Sequence, residues 1–265
     1  MTERLELPRD FRALTYSHDD FGARLFESIT LGLYAKPLHA IREYVQNELD
    51  PYPKPTRIKI RLEGNRLSIW GDGKGMDERD LEIAKKVGVS DKNPHDYTGF
   101  RGIGIWSGVA IADEILISTK KSGCPKRFHM RINGKGIRRE INTNIPLKEL
   151  LEKNVSLASS RDAPLGDHFT HVELKEIIPE VRKQDAWSED NIRRYIAEVL
   201  PVPFDPDWPY RDRLERDISE HVRDYRTFLI EFNGRAVYRP PFLKEFEAPK
   251  TGLIVNEKRK PVGFY

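Results

Sequence analysis

Two polar residues lie one helical turn apart in the segment AIREYVQNELD, residues 40–50. At about 100° per residue, Glu43, Asn47 and Asp50 fall on the side of a helix opposite an apolar stripe. Residues four apart on a helix are roughly 5–6 Å apart at Cβ, so the Glu43 carboxylate and the Asn47 amide can reach one small object together. Such oxygens suit Mg²⁺ with its waters and substrate phosphates, and a carboxylate can accept a proton from an attacking water. The alternative, a polar face turned to solvent, is not excluded by this helix alone.

Two glycine-rich segments follow this helix. GDGKGM, residues 71–76, interrupts a strand pattern with three glycines, which allow the backbone to approach a ligand closely. TGFRGIG, residues 98–104, contributes three more glycines immediately before an apolar segment. Because the free N–H groups at the start of a helix bind anions, this loop is suited to phosphate. Either motif alone is weak, but their order along the chain favours a nucleotide site.

The elements that must position these residues show no regular β-α-β alternation, which favours an α+β sandwich over a doubly wound sheet. The periodicity predicts helices over residues 19–35, 37–50, 77–88, 103–115 and 188–200, with Asp77 and Ser188 as N-caps. It predicts strands over residues 57–70 as a hairpin, 115–120, 127–133 and 170–177, and a second hairpin that turns at Asn233-Gly234. A boundary near residues 180–187 is expected to separate a domain at residues 1–184 from a second one at 185–265.

The composition excludes several classes of protein. The 265 residues are 38% hydrophobic and 33% charged, and the sequence has no run of eighteen apolar residues, so no membrane span is expected. The first ten residues, MTERLELPRD, lack the apolar core of a signal peptide. The single cysteine, Cys124, cannot form an internal disulfide, which fits a cytoplasmic location, or a nuclear one in a eukaryote.

Positive charge is concentrated in residues 120–139, which hold eight Lys or Arg residues and no acidic residue. Such a run is typical of solvated strand edges, where lysine also blocks unwanted pairing. The alternative is a face that binds a polyanion such as DNA.

Four boxes, in order over about residues 20–180, resemble those of the GHKL or Bergerat-fold ATPases, which include MutL, MORC proteins and the 90-kDa heat-shock chaperones. REYVQNELD resembles the box RELVQNSLDA, GDGKGM resembles DNGxGM, the segment from Gly88 to Lys120 resembles the ATP lid, and FTHVELKEI resembles the late strand GTxVxLxL. The resemblance implies a two-layer α/β sandwich, with helices covering a mixed, largely antiparallel sheet. It also implies that residues 185–265 begin a transducer-like domain.

The resemblance implies ATP and Mg²⁺ as cofactors and assigns roles to individual residues. Glu43 corresponds to the general base that activates water, Asn47 to the Mg²⁺ ligand, and Thr170 to a hydroxyl that helps to hold adenine. Ser90 and Lys92 lie where the lid carries its SK pair. The remaining nucleotide-binding positions are Asp50, Asp72, Gly73, Gly75, Met76, Gly99, Phe100, Arg101, Gly102, Ile103 and Gly104.

One position departs from the family pattern. The first Asp of DNGxGM accepts a hydrogen bond from the adenine amino group, but Gly71 occupies that position here and Asp72 follows it. Three interpretations are open. Asp72 takes over the contact through a backbone shift, a water or Thr170 replaces the carboxylate, or the site no longer prefers adenine.

The functional prediction is an ATPase whose nucleotide state controls lid closure and homodimerisation. A histidine kinase is disfavoured, because that group lacks the Glu four residues before the Asn. The competing prediction is a nucleotide-binding scaffold or switch with little hydrolysis, motivated by the missing carboxylate at Gly71.

Overall fold

A computed structural model describes residues 21–30, 36–49, 55, 57–88, 103–160, 166–222, 225–240, 253–255 and 261–264. Its main feature is an eight-stranded mixed sheet in the order β5-β4-β3-β6-β2-β1-β7-β8. These strands are β1 Arg57–Glu63, β2 Arg66–Gly71, β3 Ala112–Lys120, β4 Arg127–Asn133, β5 Val155–Ser160, β6 Phe169–Ile177, β7 Leu229–Phe232 and β8 Arg235–Ala236. All neighbouring pairs are antiparallel except β1 and β7. A separate pair is formed by β9 Leu253–Val255 and β10 Pro261–Phe264.

Helices cover one face of this sheet. They are α1 Ala23–Thr30, α2 His39–Leu49, α3 Glu78–Ala84, α4 Gly134–Glu140, α5 Leu147–Asn154, α6 Pro179–Arg182, α7 Glu189–Val199 and α8 Arg211–His221, with 3₁₀ helices at Gly104–Ala110 and Asp185–Trp187. Burial alternates along β1, where Ile58 and Ile60 point into the core and Lys59 is exposed. Period-two burial of this kind is expected when one face of a sheet packs on helices and the other meets water. The predicted two-layer α+β sandwich is therefore confirmed.

Helix α2 is held against the 3₁₀ helix Gly104–Ala110 as well as against the sheet. Its buried face includes Ile41, Tyr44 and Val45. On the other side of the 3₁₀ helix, Phe26 meets Trp106 edge-on at a centroid distance of 5.2 Å. The packing therefore fixes α2 between β2 and the 3₁₀ helix, which lies within the segment that resembles the ATP lid.

Several local predictions are confirmed by hydrogen bonds. Asp77 caps α3 in a reciprocal capping box with Asp80, and the Ser188 side chain accepts from the Asn191 N–H at the start of α7. The second hairpin turns at Asn233 and Gly234, which have φ of 48° and 75°. Two positive φ angles are those of a type I′ turn.

The helix predicted over residues 103–115 is wrong in its second half. The 3₁₀ helix ends at Ala110, and β3 begins at Ala112. A short apolar run cannot be assigned to helix or buried strand by periodicity alone, and the pairing of β3 with β4 and β6 decides it. The elements α4, α5 and β5 were not predicted.

The C-terminal hairpin extends the sheet of the preceding residues. Strand β7 pairs in parallel with β1, and the Asn233 side chain accepts a hydrogen bond from the Leu62 N–H at 2.8 Å. The boundary between residues 184 and 185 stays a prediction, although β7 and β8 share one sheet with β1. Within the described ranges, no helix has the length and apolar character needed to cross a membrane.

Candidate active site

The side chains of Glu43 and Asn47 meet at the backbone of Gly104. A methyl group at Gly104 would lie 3.0 Å from Glu43 Oε2 and 3.2 Å from Asn47 Nδ2, so only glycine allows this approach without displacement of both side chains. The Glu43 side chain is 14% exposed. The polar face of α2 is thus turned toward the start of the 3₁₀ helix rather than to bulk solvent.

Tyr44 holds the 3₁₀ helix against α2 through two hydrogen bonds. Its buried hydroxyl donates to the Ile105 carbonyl at 3.0 Å and accepts from the Gly108 N–H at 3.1 Å. Burial raises the pKa of this hydroxyl, so it stays a donor over the whole neutral range. Because Tyr44 follows Glu43 directly, the same helical turn presents the carboxylate and fixes the backbone that it faces.

Arg42 holds one oxygen of the candidate base. Its Nη2 lies 2.7 Å from Glu43 Oε1, which leaves Oε2 as the atom beside Gly104. The hydroxyl of Tyr195 on α7 is buried and has no hydrogen-bond partner among the described residues. Burial raises its pKa, Arg42 lowers it and the Glu43 charge raises it. Helix α7 therefore approaches this end of α2.

The glycine turn between β2 and α3 is pinned to β3 and β6. Gly75 has φ of +66°, and a methyl group there would lie 1.8 Å from the Lys120 carbonyl oxygen. The Met76 N–H donates to Thr119 Oγ1 at 2.8 Å. The turn needs glycine at residue 75 because both the backbone angle and the space exclude a side chain.

Asp72 is turned toward β1. Its Oδ1 accepts from the Arg57 N–H at 2.9 Å, and its own N–H donates to the Arg57 carbonyl at 3.4 Å. These bonds close the open end of the β1–β2 hairpin. A contact of Asp72 with a base stays a prediction.

Glu48, which the sequence analysis did not select, supplies a buried carboxyl group beside the glycine turn. It is 6% exposed, and its Oε1 accepts from the Gly73 N–H at 2.8 Å. Burial raises the pKa of Glu48 to about 7, and a hydrogen bond from the Thr170 hydroxyl opposes the shift. The one sequence signal for Glu48 was its position in the first box. RELVQNSLDA has Ser at that position, whereas this chain has Glu.

Thr170, on β6, lies next to Gly71 in the register of the sheet. Its hydroxyl is 3.3 Å from Thr119 Oγ1 and also bonds the Glu48 carboxyl. The site therefore brings together α2, the glycine turn and the start of β6.

Part of the predicted site falls outside the described residues, namely Asp50, Ser90, Lys92, Gly99, Phe100, Arg101 and Gly102. From the lid box, Ile103 is 6% exposed and Gly104 begins the 3₁₀ helix. The structure brings Glu43, Asn47 and Gly104 to one place, and Gly73, Glu48 and Thr170 to a second place along the same helix.

The donor set suits a magnesium ion that is held mainly by phosphate. Among the residues that the structure describes, no group of three or more His, Cys, Asp or Glu side chains could hold a metal alone. Mg²⁺ usually keeps several waters and takes one or two protein oxygens beside substrate phosphates. The Asn47 amide fits that requirement.

The fold is that of a GHKL-type ATPase domain. Residues 35–160 match the family described as Histidine kinase-, DNA gyrase B-, and HSP90-like ATPase. The resemblance predicted from the four boxes is thereby confirmed, and the sandwich described above is the Bergerat fold of this family.

Individual relatives support the same assignment. The chain is 28% identical over 218 residues to the DNA mismatch repair protein MutL of Rickettsia felis, an alignment that covers 69% of this chain and 35% of the relative. It is 34% identical over 217 residues to MutL of Rickettsia canadensis, with the same coverage of 69% and 35%. It is 24% identical over 207 residues to the chaperone protein HtpG of a Polaromonas species, covering 63% of this chain and 33% of the relative. The chain thus spans about a third of the length of these relatives.

The raised pKa of Glu48 predicts a pH-dependent stability. The unfolded chain ionises this carboxyl near pH 4.5, whereas the folded chain holds the proton to about pH 7. The stability that this group contributes is therefore fully present below pH 4.5. It decreases as the pH rises to about 7, by about 2–3 kcal/mol between pH 5 and 7.5. Urea unfolding of the wild type and Glu48→Gln should show the wild type losing that much more stability over this window.

Glu114 provides the matched control. Although burial raises its pKa, Lys175 and Arg131 lower it below 4.5, so Glu114 contributes stability that is lost only as the pH falls through that lower value. Glu114→Gln should therefore track the wild type between pH 5 and 7.5. Parallel curves for the wild type and Glu48→Gln would show that Glu48 is already ionised at pH 5.

Proposed function

We propose that this domain binds ATP and hydrolyses its γ-phosphate in a Mg²⁺-dependent reaction. The observation that carries the proposal is the convergence of the Glu43 carboxylate and the Asn47 amide on Gly104, at distances of 3.0 and 3.2 Å from a methyl group placed there. A carboxylate, an amide and an open backbone segment at the start of a helical turn are the groups that phosphoryl transfer to water requires.

Each residue has a distinct task in this proposal. Glu43 Oε2 accepts the proton of the attacking water, while Arg42 holds Oε1 and keeps the carboxylate in one orientation. Asn47 would hold Mg²⁺ through its side-chain oxygen, and the ion would supply positive charge beside the phosphates. The backbone from Ile103 to Gly104 lines the phosphates, and Tyr44 keeps that backbone in place. Positioning and electrostatic stabilisation, rather than covalent chemistry, supply the rate enhancement.

The proposal is tested by replacing Asn47 with alanine and measuring ATP affinity with Mg²⁺ and with EDTA. The wild type should bind Mg-ATP more tightly than ATP in EDTA by about 10-fold or more, since a charge-assisted contact contributes about 1.5–3 kcal/mol. Asn47→Ala should remove that difference. Asn191→Ala removes an amide on α7 whose partner is Asp185, so it serves as the control. Equal affinities of the wild type in Mg²⁺ and EDTA would refute a metal role for Asn47.

Lid closure and homodimerisation are part of the proposal. The glycines of residues 98–104 and the relatives named MutL and HtpG support it. Closure over the nucleotide would exclude water from the phosphates. Sedimentation with and without a nonhydrolysable ATP analogue tests this step, and a monomer under both conditions would reject nucleotide-controlled dimerisation.

A nucleotide-binding scaffold with little hydrolysis is the second candidate. The observation that favours it is the ion pair of Arg42 with Glu43 Oε1, which engages one oxygen of the candidate general base. A switch of this kind would bind and release ATP without turnover. The rate of ATP hydrolysis by Glu43→Gln relative to the wild type distinguishes the two candidates.

The charges of residues 120–139 give little support to DNA binding by this segment. Half of the eight basic residues pair with carboxylates of the same chain, namely Lys121, Arg131, Arg138 and Arg139. The buried Lys120 donates to the Asp167 carbonyl. Much of the positive charge is thus neutralised locally. Binding to a DNA duplex that does not weaken steeply with salt would reject this interface.

A further inference from the structure

The two acidic positions of the nucleotide site are exchanged in this chain. The box RELVQNSLDA has a small residue where this chain has Glu48, and DNGxGM has a carboxylate where this chain has Gly71. In the structure these two positions face each other. A methyl group at Gly71 would lie 2.4 Å from Glu48 Cγ and 2.9 Å from Glu48 Oε1. The Glu48 side chain therefore occupies the space that a side chain at position 71 would need.

The surrounding backbone is built for this carboxyl group. Gly73 donates its N–H to Glu48 Oε1 at 2.8 Å, and a methyl group at Gly73 would lie 2.4 Å from that oxygen. Thr170 adds a hydroxyl from β6. Gly71 thus leaves room for one carboxyl group, and Gly73 and Thr170 hydrogen-bond it from separate segments, although burial of an acid is costly.

The neighbouring charges do not make Glu48 one partner of a structural ion pair. The neighbours that act on the Glu48 charge are Asp72 on the glycine turn, which opposes it, and His168 ahead of β6, which favours it. His168 Nδ1 is itself engaged with the Gly73 carbonyl at 2.7 Å. Within the described residues, the only cationic group that acts on Glu48 is His168, and a buried acid with a perturbed pKa in such surroundings is typical of a binding site.

We propose that Glu48, on α2, accepts a hydrogen bond from the exocyclic amino group of a 6-aminopurine base. It does so in place of a carboxylate on the strand at position 71. The inference rests on the proposed function, because it assigns the base contact of the same nucleotide site. It also names the chemical class of the ligand. A purine nucleoside triphosphate with a 6-amino group is bound more tightly than the same nucleotide without that group.

The test pairs a change in the protein with a change in the ligand. The probes are ATP and purine riboside 5′-triphosphate, which lacks the 6-amino group. The wild type should prefer ATP by about 10- to 100-fold, the value expected for a hydrogen bond to a charged or buried acceptor. Glu48→Ser should reduce that preference to less than about threefold, while affinity for the purine nucleotide changes little.

The double variant Glu48→Ser with Gly71→Asp returns the acid to the strand and should restore the preference. Gly71→Asp alone should unfold more readily than the double variant, because its side chain meets the Glu48 side chain. Circular dichroism of each variant confirms that affinities refer to folded protein. Glu48→Met, which roughly keeps the size of the side chain but has no oxygen to accept a hydrogen bond, provides a second reading if Glu48→Ser does not fold.

Two results would overturn the inference and are distinguishable from failure of the proposed function. If Glu48→Ser, or Glu48→Met in its place, retains the full preference for ATP, Glu48 only fills space beside Gly71. If the wild type binds both nucleotides equally, no residue reads the amino group, yet ATP binding stands. If the wild type binds neither nucleotide, the proposed function and this inference fall together.

Discussion

Replacing Glu43 with glutamine is expected to lower kcat for ATP hydrolysis by about 10²–10⁴-fold, the usual contribution of a general base. Glutamine keeps the size of the side chain beside Gly104 and can still accept from Arg42 Nη2 through one oxygen. It cannot take a proton from water. The Kd for ATP should therefore change by less than about threefold, since the phosphate and base contacts lie elsewhere.

The control is Glu82→Gln on α3, a side chain 48% exposed that pairs with Lys85. Its kcat should equal that of the wild type. If the wild type hydrolyses ATP no faster than Glu43→Gln while both bind it, the domain is a nucleotide-binding scaffold. A variant that loses binding and hydrolysis together would instead show that Glu43 holds the ligand.

The second large effect is expected at Gly75. Alanine there would place its methyl group 1.8 Å from the Lys120 carbonyl oxygen, on a backbone with φ of +66°. The positive φ alone costs about 1–2 kcal/mol, and the collision is with backbone that the β3–β6 ladder holds in place. We expect Gly75→Ala to lower the free energy of unfolding by more than about 3 kcal/mol, as measured by urea denaturation.

Gly123→Ala distinguishes the cost of the positive φ from the cost of the collision. Gly123 has φ of +77°, and no atom of the described residues lies within 4 Å of a methyl group at that position. It should therefore lose only the roughly 1–2 kcal/mol of the backbone term. If Gly75→Ala and Gly123→Ala destabilise the protein equally, the turn at Gly75 moves away from β3 at no cost, and the close packing of the glycine turn is not required for folding.

Local patterns allowed much of the fold to be predicted. The Asp77 and Ser188 caps, the β1–β2 hairpin and the Asn233-Gly234 turn depend on residues close together in the sequence, and each is confirmed. The helix predicted through residue 115 was wrong, because periodicity alone does not distinguish a short, mainly apolar helix from a strand. The parallel pairing of β7 with β1 joins residues more than 160 positions apart, and no local signal indicates it.

The candidate site divides in the same way. The sequence by itself determined that Glu43 and Asn47 share one helical face, because the helical period fixes their relative position, and it determined the order of the four boxes that mark the family. Only the tertiary structure decided that this face meets Gly104, that Asp72 bonds Arg57, and that Glu48 fills the space beside Gly71. These contacts join segments distant along the chain, and the environment of a carboxyl group is set by whatever packing brings against it. A sequence pattern gives the direction of a side chain along its own element, but not its neighbours.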